Sequence, residues 1–415
     1  MCVILRLVIG CIFSCSLSTF ANNILITDIV KTADNNWSVT YRSKTPISSI
    51  QFHHTPDHSR HDRWRLKTTG LTFQSLSGRD TVFANSGKTF TEVTFELTPT
   101  YTNLPKSYAP FSPYSDGSNL FHSGRFFACA NFCSGTENTW YLTFSAPISD
   151  AIIINGMTAY EKVSWYDHND GRKVYVGKVN QTNDTAYFAV VDPGLPKSVV
   201  DAFSSFIPIA IRTLGTRFPP IQTKPMLFAS FGQTEGDRYG RQGGVLPHQI
   251  FMHWYGKISD EPMEELLWFF AHEVAHLYQG NDSLSISNKD AWIHEGHAEF
   301  VAGQLLLMLK PESKGFVASK RQQAREACKS ALNKTALDNF ADQGQYSDLY
   351  SCGHAIYQKM AKSNGNPEKI AFDFWLALLH NKKSSQEIGV DQFRSAASLY
   401  LDEAGLNELD VLILK

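Results

Sequence analysis

The stretch "WFFAHEVAHLYQ", Trp268 to Gln279, carries His-Glu-Val-Ala-His inside an otherwise apolar run. On an α-helix His272 and His276 stand one turn apart on the same face, so both imidazoles can reach one ion. Glu273 lies beside them, close enough to touch a water on that ion but not placed as an equivalent ligand. The flanking "LLWFFA" and "LY" are apolar nearly all round, which predicts a buried helix. Two His and a Glu are costly in such a helix unless they are paired or bound. The arrangement suits a zinc hydrolase, since zinc lowers the pKa of its water to roughly 7 and a carboxylate can take the proton.

A catalytic zinc site needs a third protein ligand and an open position. The next suitable stretch is "DAWIHEGHAEF", which offers Asp290, His294, Glu295, His297 and Glu299. Eighteen residues, 277 to 294, separate His276 from Glu295. In this order and spacing the chain resembles the gluzincin metallopeptidases, in particular the aminopeptidase N-like branch and its glycyl-aminopeptidase relatives. Those have HExxH, eighteen intervening residues and a Glu-Gly pair after a Trp. The resemblance implies that His272, His276 and Glu295 hold one Zn2+ per chain, with Glu273 as the catalytic base. It places Glu299, one turn on, behind a ligating His, where it orients the ring. His294 and His297 point to other faces of the helix and are expected outside the ligand set.

Two further elements follow from the resemblance. In "LYSCGHAIY", Tyr350 precedes Gly353 by three residues, as in the family's Tyr-x-x-Gly, which implies that Tyr350 donates to the oxyanion formed at the scissile carbonyl. Tyr346 is a nearby alternative. The family also has a substrate-binding strand before the zinc helix, carrying Gly-x-Met-Glu-Asn, whose Glu holds a free amine. The corresponding stretch here is "GGVLPHQ", Gly243 to Gln249. Gly243, Gly244, Val245 and Leu246 suit backbone pairing with a peptide, but no carboxylate is present. Glu235 and Asp237 are the nearest substitutes. Peptide hydrolysis survives this departure, and strict aminopeptidase specificity does not. An endopeptidase or another amide or ester hydrolase is the alternative within enzymes, and a zinc-bearing peptide-binding factor without turnover is the alternative outside them.

Around this centre the pattern predicts a multi-domain α+β protein. Residues 22–193 read as a β-rich sandwich or saddle domain, from "WSVTY", "TEVTFELTP", "TWYLTFSAP", "AIIING", "RKVYVGKV" and "TAYFAVVDP". "DPGLPK", Asp192 to Lys197, breaks the pattern and marks the boundary. Residues 194–312 read as a thermolysin-like α/β domain and 313–415 as a helical segment. "SVVDAFSSFIPIAIRTLGTRF" reads as a helix interrupted or kinked at Pro208. "KPMLFASF" and "GGVLPHQIFMHW" read as strands. The zinc-motif helix is expected to be capped by Ser259 or Asp260, with Pro262 in its first turn. Helix breaks are expected near Asn333, Asn364 and Lys383, and the closing "LDVLILK" reads as a short strand or a helix end. "HHTPDHSRHDRWR", His53 to Arg65, reads as a solvated loop.

The chain has 415 residues and a net charge of −2, which points to no nucleic-acid partner. "MCVILRLVIGCIFSCSLSTFANN" reads as a signal peptide over residues 1–21, cleaved before Asn22, so that the mature chain is periplasmic or secreted. Lipidation at Cys11 or Cys15 is the variant of this reading. No later segment reads as a membrane span. Four cysteines then remain, and an even count in an exported chain suggests two disulfides. Three pairings exist; proximity favours Cys129–Cys133 and Cys328–Cys352.

Overall fold

The computed structural model describes residues 24–55, 59–99, 111–169, 171–179, 181–232, 240–246, 248–256, 258, 261–280, 286–380 and 387–413. The signal-peptide reading, Glu235, Asp237, Ser259, Asp260 and the break near Lys383 lie outside the described residues.

The N-terminal half is built of three sheets. A six-stranded sheet runs in the order Lys162–His168, Thr139–Ser145, Ile26–Lys31, Trp37–Ile47, Phe90–Leu97, Trp64–Leu66. Its pairs are antiparallel except Ile26–Lys31 with Thr139–Ser145. A four-stranded sheet adds Ala128–Ala130, Ser49–Phe52, Arg79–Ala84 and Leu71–Leu76. Trp37, Tyr41, Phe52, Phe95 and Phe126 fill one core there, edge to face in most pairs.

The third sheet, Met157–Tyr160, Ala151–Ile154, Lys173–Gly177, Asn119–His122 and Ser112–Pro113, joins two cores. Ile152, Ile154, Val174 and Val176 face the aromatic core. Ala151, Ile153 and Tyr175 face the other way, against Val190, Met226, Phe228 and Phe251 of the next sheet. A strand buried on both faces needs apolar residues at every position, which is why "AIII" and "VYV" do not alternate.

That next sheet carries the zinc-motif region. Its order is Gln181–Asn183, Phe188–Val191, Met226–Gly232, Gln249–Tyr255, Gly240–Leu246. Phe188–Val191, Met226–Gly232 and Gln249–Tyr255 run parallel, and Gln181–Asn183 and Gly240–Leu246 are antiparallel edges. The sheet therefore begins upstream of the boundary expected at 193–194, which falls in the connection between its strand Phe188–Val191 and the crossover helix Lys197–Gly215. Asp192 pins this connection: its buried carboxylate accepts from the backbone N–H groups of Ser115, Gly194 and Phe231 at 2.8–2.9 Å and from the Ser115 hydroxyl. "GGVLPHQIFMHW" forms two strands of a hairpin, turned at His248 in the left-handed region, φ 58°.

The helical core covers the sheet's other face, where Leu227, Ala229, Ile250, Met252 and Trp254 meet Phe203 and Phe270. The helix Lys197–Gly215 is continuous through Pro208 and not interrupted there. It is also long and apolar enough by composition to cross a membrane, contrary to expectation, but its apolar side belongs to this core. The zinc-motif helix spans Met263–Leu277, with Pro262 at the cap position and Glu264 and Glu265 in the first turn, so Pro262 stands before the helix and not within it. Trp292–Leu309, Lys314–Leu332 and Tyr346–Asn364 follow, and Glu403–Ile413 ends the described chain as a helix. Both expected disulfides are present, Cys129–Cys133 and Cys328–Cys352.

The segment read as a solvated loop is partly buried instead. Arg60 is 2% exposed, pairs with buried Asp80 and lies 4.1 Å over the Phe52 ring; His61 Nε2 stands 3.0 Å from the other Asp80 oxygen. The pair satisfies a charge that the sequence alone shows without its partner.

Candidate active site

His272 and His276 occupy one face of the Met263–Leu277 helix, and Glu295 enters from the first turn of Trp292–Leu309. Their ligating atoms form a triangle: His272 Nε2 to His276 Nε2 is 3.0 Å, and each lies 3.3 Å from Glu295 Oε2. All three residues are buried. Tetrahedral zinc with bonds of roughly 2.0–2.1 Å spaces its ligands about 3.3 Å apart, so the donor set fits that ion, with a fourth side left for water or substrate. Among the described residues this is the one His and carboxylate cluster of that compactness. His294 and His297 stand outside it, as expected.

The ligands are held from behind. Glu299 Oε1 lies 3.0 Å from His272 Nδ1, and its Oε2 accepts from the indole N–H of Trp268 at 2.8 Å. Burial opposes a charged His272, but the contacts with Glu295 and Glu299 outweigh it and raise its pKa to about 10 in the ion-free protein. Burial likewise opposes a charged Glu299, and the His272 contacts hold it down at about 2. The pocket is arranged for a cation. His354, buried beside Trp268 and Phe300, is kept neutral by desolvation, with its pKa lowered to about 4.

His276 is oriented by a relay that the sequence reading missed. Its Nδ1 lies 2.7 Å from Gln279 Oε1, which can only accept, so Nδ1 carries the proton and Nε2 is free to ligate. Gln279 Nε2 donates to the His294 carbonyl at 2.8 Å and to His297 Nδ1 at 2.9 Å. His297 Nε2 then donates to the carbonyl of Ala371 at 2.7 Å, in a π-helical turn, Lys369–Asp373. Burial lowers the His297 pKa to about 3, keeping it in the neutral form this chain of donors requires.

Glu273 is buried, and the edge strand passes directly over it. A β-carbon at Gly243 would overlap Glu273 Oε1 and stand 2.8 Å from the Phe269 ring. The other substrate-strand candidates do not share this contact. Gly244 lies over the Phe251 ring, Val245 packs on the helical core, and Leu246 joins the Met226–Phe228–Phe251 cluster. Arg241, on the same strand, pairs with the shielded carboxylate of half-buried Glu261 and tethers the strand ahead of the zinc-motif helix.

Tyr350 reaches the site from the first turns of Tyr346–Asn364, its ring stacked 5.7 Å from that of His272 at 27°. Two glycines bring it there. Gly296 and Gly353 meet backbone to backbone, and a β-carbon at Gly353 would stand 2.7 Å from Gly296 Cα. The Cys328–Cys352 bridge fixes the same turn to the neighbouring helix.

By sequence, no family profile and no curated protein matches the chain. By structure, the chain has the fold of the M1-type zinc metallopeptidases. It is similar to native yeast LTA4 hydrolase, with a TM-score of 0.55 and 13% identity, over 95% of this chain and 68% of that one. It is also similar to a mutant M1 zinc metallopeptidase from Deinococcus radiodurans, solved with a Tyr-Ser-Ala substrate, with a TM-score of 0.51 and 11% identity over 94% of each chain.

Proposed function

We propose that this protein is a zinc-dependent peptidase. The observation that carries the reading is the triangle of His272, His276 and Glu295 with the Glu273 carboxylate beside it. Zinc held by these three residues would polarise a scissile carbonyl and acidify water. Glu273 takes the proton of the attacking water and passes it to the leaving amine. Tyr350 donates its hydroxyl hydrogen to the oxygen that gains charge. The edge strand Gly240–Leu246 offers its outer side to an extended peptide, whose backbone would pair there. One structural neighbour was solved with a tripeptide, which accords with such a substrate.

The second reading, an endopeptidase, is favoured by the strand Gly240–Leu246, which carries no carboxylate for an ammonium group. We also propose export to the periplasm or beyond. The two disulfides support it. The deciding experiment is a digest of free and amino-terminally blocked peptides, with and without chelator. Chelator-sensitive cleavage of both supports an endopeptidase, and cleavage of free peptides alone supports an aminopeptidase. Wild-type turnover by Glu273→Gln would sink the enzyme assignment.

A further inference from the structure

Tyr350 stands near the start of Tyr346–Asn364, and that start has no cap of its own. Gln345, at the cap position, makes no side-chain hydrogen bond to the first turn, and its Oε1 is shielded from solvent with no partner among the described residues. An uncapped helix end frays unless something outside the helix holds it. The rest of the helix is secured further on. Ile356, Tyr357 and Met360 are buried, and the Tyr357 hydroxyl donates to the Ile293 carbonyl at 3.0 Å, about two turns beyond Tyr350. Around Tyr350 itself the inward anchors are Leu349, Gly353 and Cys352. Leu349 contributes apolar burial, which is non-directional. Gly353 meets Gly296 backbone to backbone, so it permits closeness but brings no side chain to interlock. Cys352 is bonded to Cys328 on Lys314–Leu332.

Cys352 follows Tyr350 by two residues, so the bond and the phenol leave opposite sides of the helix. On one side the bridge ties this end to Lys314–Leu332; on the other the Tyr350 ring stacks on His272 at 5.7 Å. A swing of about 10° about the helix axis moves an atom roughly 6 Å from that axis by about 1 Å. A misplacement of that size can cost about a hundredfold in rate. The zinc ligands stand on Met263–Leu277 and Trp292–Leu309, and the bridge joins neither of these helices. Opening it therefore loosens the turn of Tyr350 and leaves the metal triangle in place.

We propose that the Cys328–Cys352 bridge positions Tyr350, so that peptide hydrolysis requires the oxidised chain. With free thiols the protein folds and takes up zinc, but its oxyanion donor is loosely held. The inference rests on the zinc-peptidase reading and on the role of Tyr350 within it. Closing the bridge removes two electrons and two protons from the thiols of Cys328 and Cys352. A disulfide such as oxidised glutathione accepts them and leaves as two thiols. Thiols stay reduced in the cytosol and pair in oxidising compartments, so activity would rise on passage from the one to the other.

The test is steady-state kinetics of the full chain, loaded with zinc, on a peptide that the wild type cleaves. Removing the bridge by Cys328→Ala with Cys352→Ala should lower kcat about tenfold or more, with KM, zinc content and circular dichroism unchanged. In a Tyr350→Phe background the same removal should change kcat less than about twofold, because the group it positions is already gone. Cys129→Ala with Cys133→Ala, which removes the other bridge, should keep wild-type kcat. Wild-type chain prepared with free thiols should gain kcat on treatment with oxidised glutathione, a measurement that stands even where the alanine pair fails to fold. The proposal alone is overturned if the folded bridge-free chain keeps wild-type kcat, if its loss is as large in the Tyr350→Phe background, or if oxidation of the thiol form leaves kcat unchanged. Wild-type kcat in Tyr350→Phe itself would overturn the role of Tyr350, and the proposal with it.

Discussion

Gly243 lies against the carboxylate of Glu273, so the edge strand proposed to hold substrate and the proposed catalytic base are in direct contact. Any side chain at 243 must move one or the other. Gly243→Ala is therefore expected to lower kcat by about ten- to a hundredfold, since small misplacements of a reacting group carry such costs. Zinc content should not change, because the ligands lie on other elements. Steady-state kinetics with metal analysis checks this, and wild-type kcat in the variant would show that the base tolerates displacement.

The relay from His276 through Gln279 and His297 to Ala371 fixes which ring nitrogen of His276 faces the metal. Gln279→Leu removes the acceptor for His276 Nδ1–H. Its zinc affinity should fall about ten- to a hundredfold, as when other partners of metal-bound His are removed. His297→Phe leaves Gln279 in place but loses its orienting partner, so its effect should be smaller and in the same direction. Competition with a chromophoric chelator reads both. Equal affinity in Gln279→Leu and the wild type would mean that His276 is oriented by packing alone.

Much of this site was legible before the structure. Helical period alone pairs His272 with His276, and the resemblance to the gluzincins, not the residues by themselves, singles out Glu295 from its neighbours. Gln279 stands in the same stretch with no sequence signal of its own. It lies beyond the last helical residue, and only the tight turn at Tyr278 brings it back to His276. The segment Phe188–Val191 reads as a strand of the β-rich region, and it pairs in the sheet beneath the zinc-motif helix. Propensity marks extended chain, but the parallel partner, Met226–Gly232, lies beyond a whole helix in sequence. Arg60 was read as solvated because its partner, Asp80, is twenty residues away on another strand.

Zinc must displace a proton. In the ion-free protein the contacts with Glu295 and Glu299 overcome burial and raise the His272 pKa to about 10, above its ordinary value. The raised pKa means that protonated His272 stabilises the ion-free fold fully below about pH 6.5. That contribution fades as pH rises toward 10. Zinc binding runs the other way: below pH 10 each unit of pH should strengthen it about tenfold through this residue. Calorimetry at pH 7.5 in buffers of different ionisation heat should find about one proton released from His272 per zinc bound. Binding with no proton release would mean that His272 is already neutral in the ion-free site.

Gly296 and Gly353 let the Glu295 and Tyr350 helices touch backbone to backbone, and this contact sets the 5.7 Å stacking of Tyr350 on His272. Gly353→Ala would force the helices apart against the Cys328–Cys352 bridge, which holds Tyr350's helix from the other side. Overpacking of this kind costs about 1–3 kcal/mol. The variant should melt a few degrees lower and lose kcat as Tyr350 moves away from the reacting carbonyl. Tyr350→Phe removes only the hydroxyl and should keep the melting temperature while losing about 10²–10³ in kcat. A Gly353→Ala protein that melts early yet keeps its kcat would assign the glycine pair to stability alone, and would separate Tyr350's position from the crossing that was argued to set it.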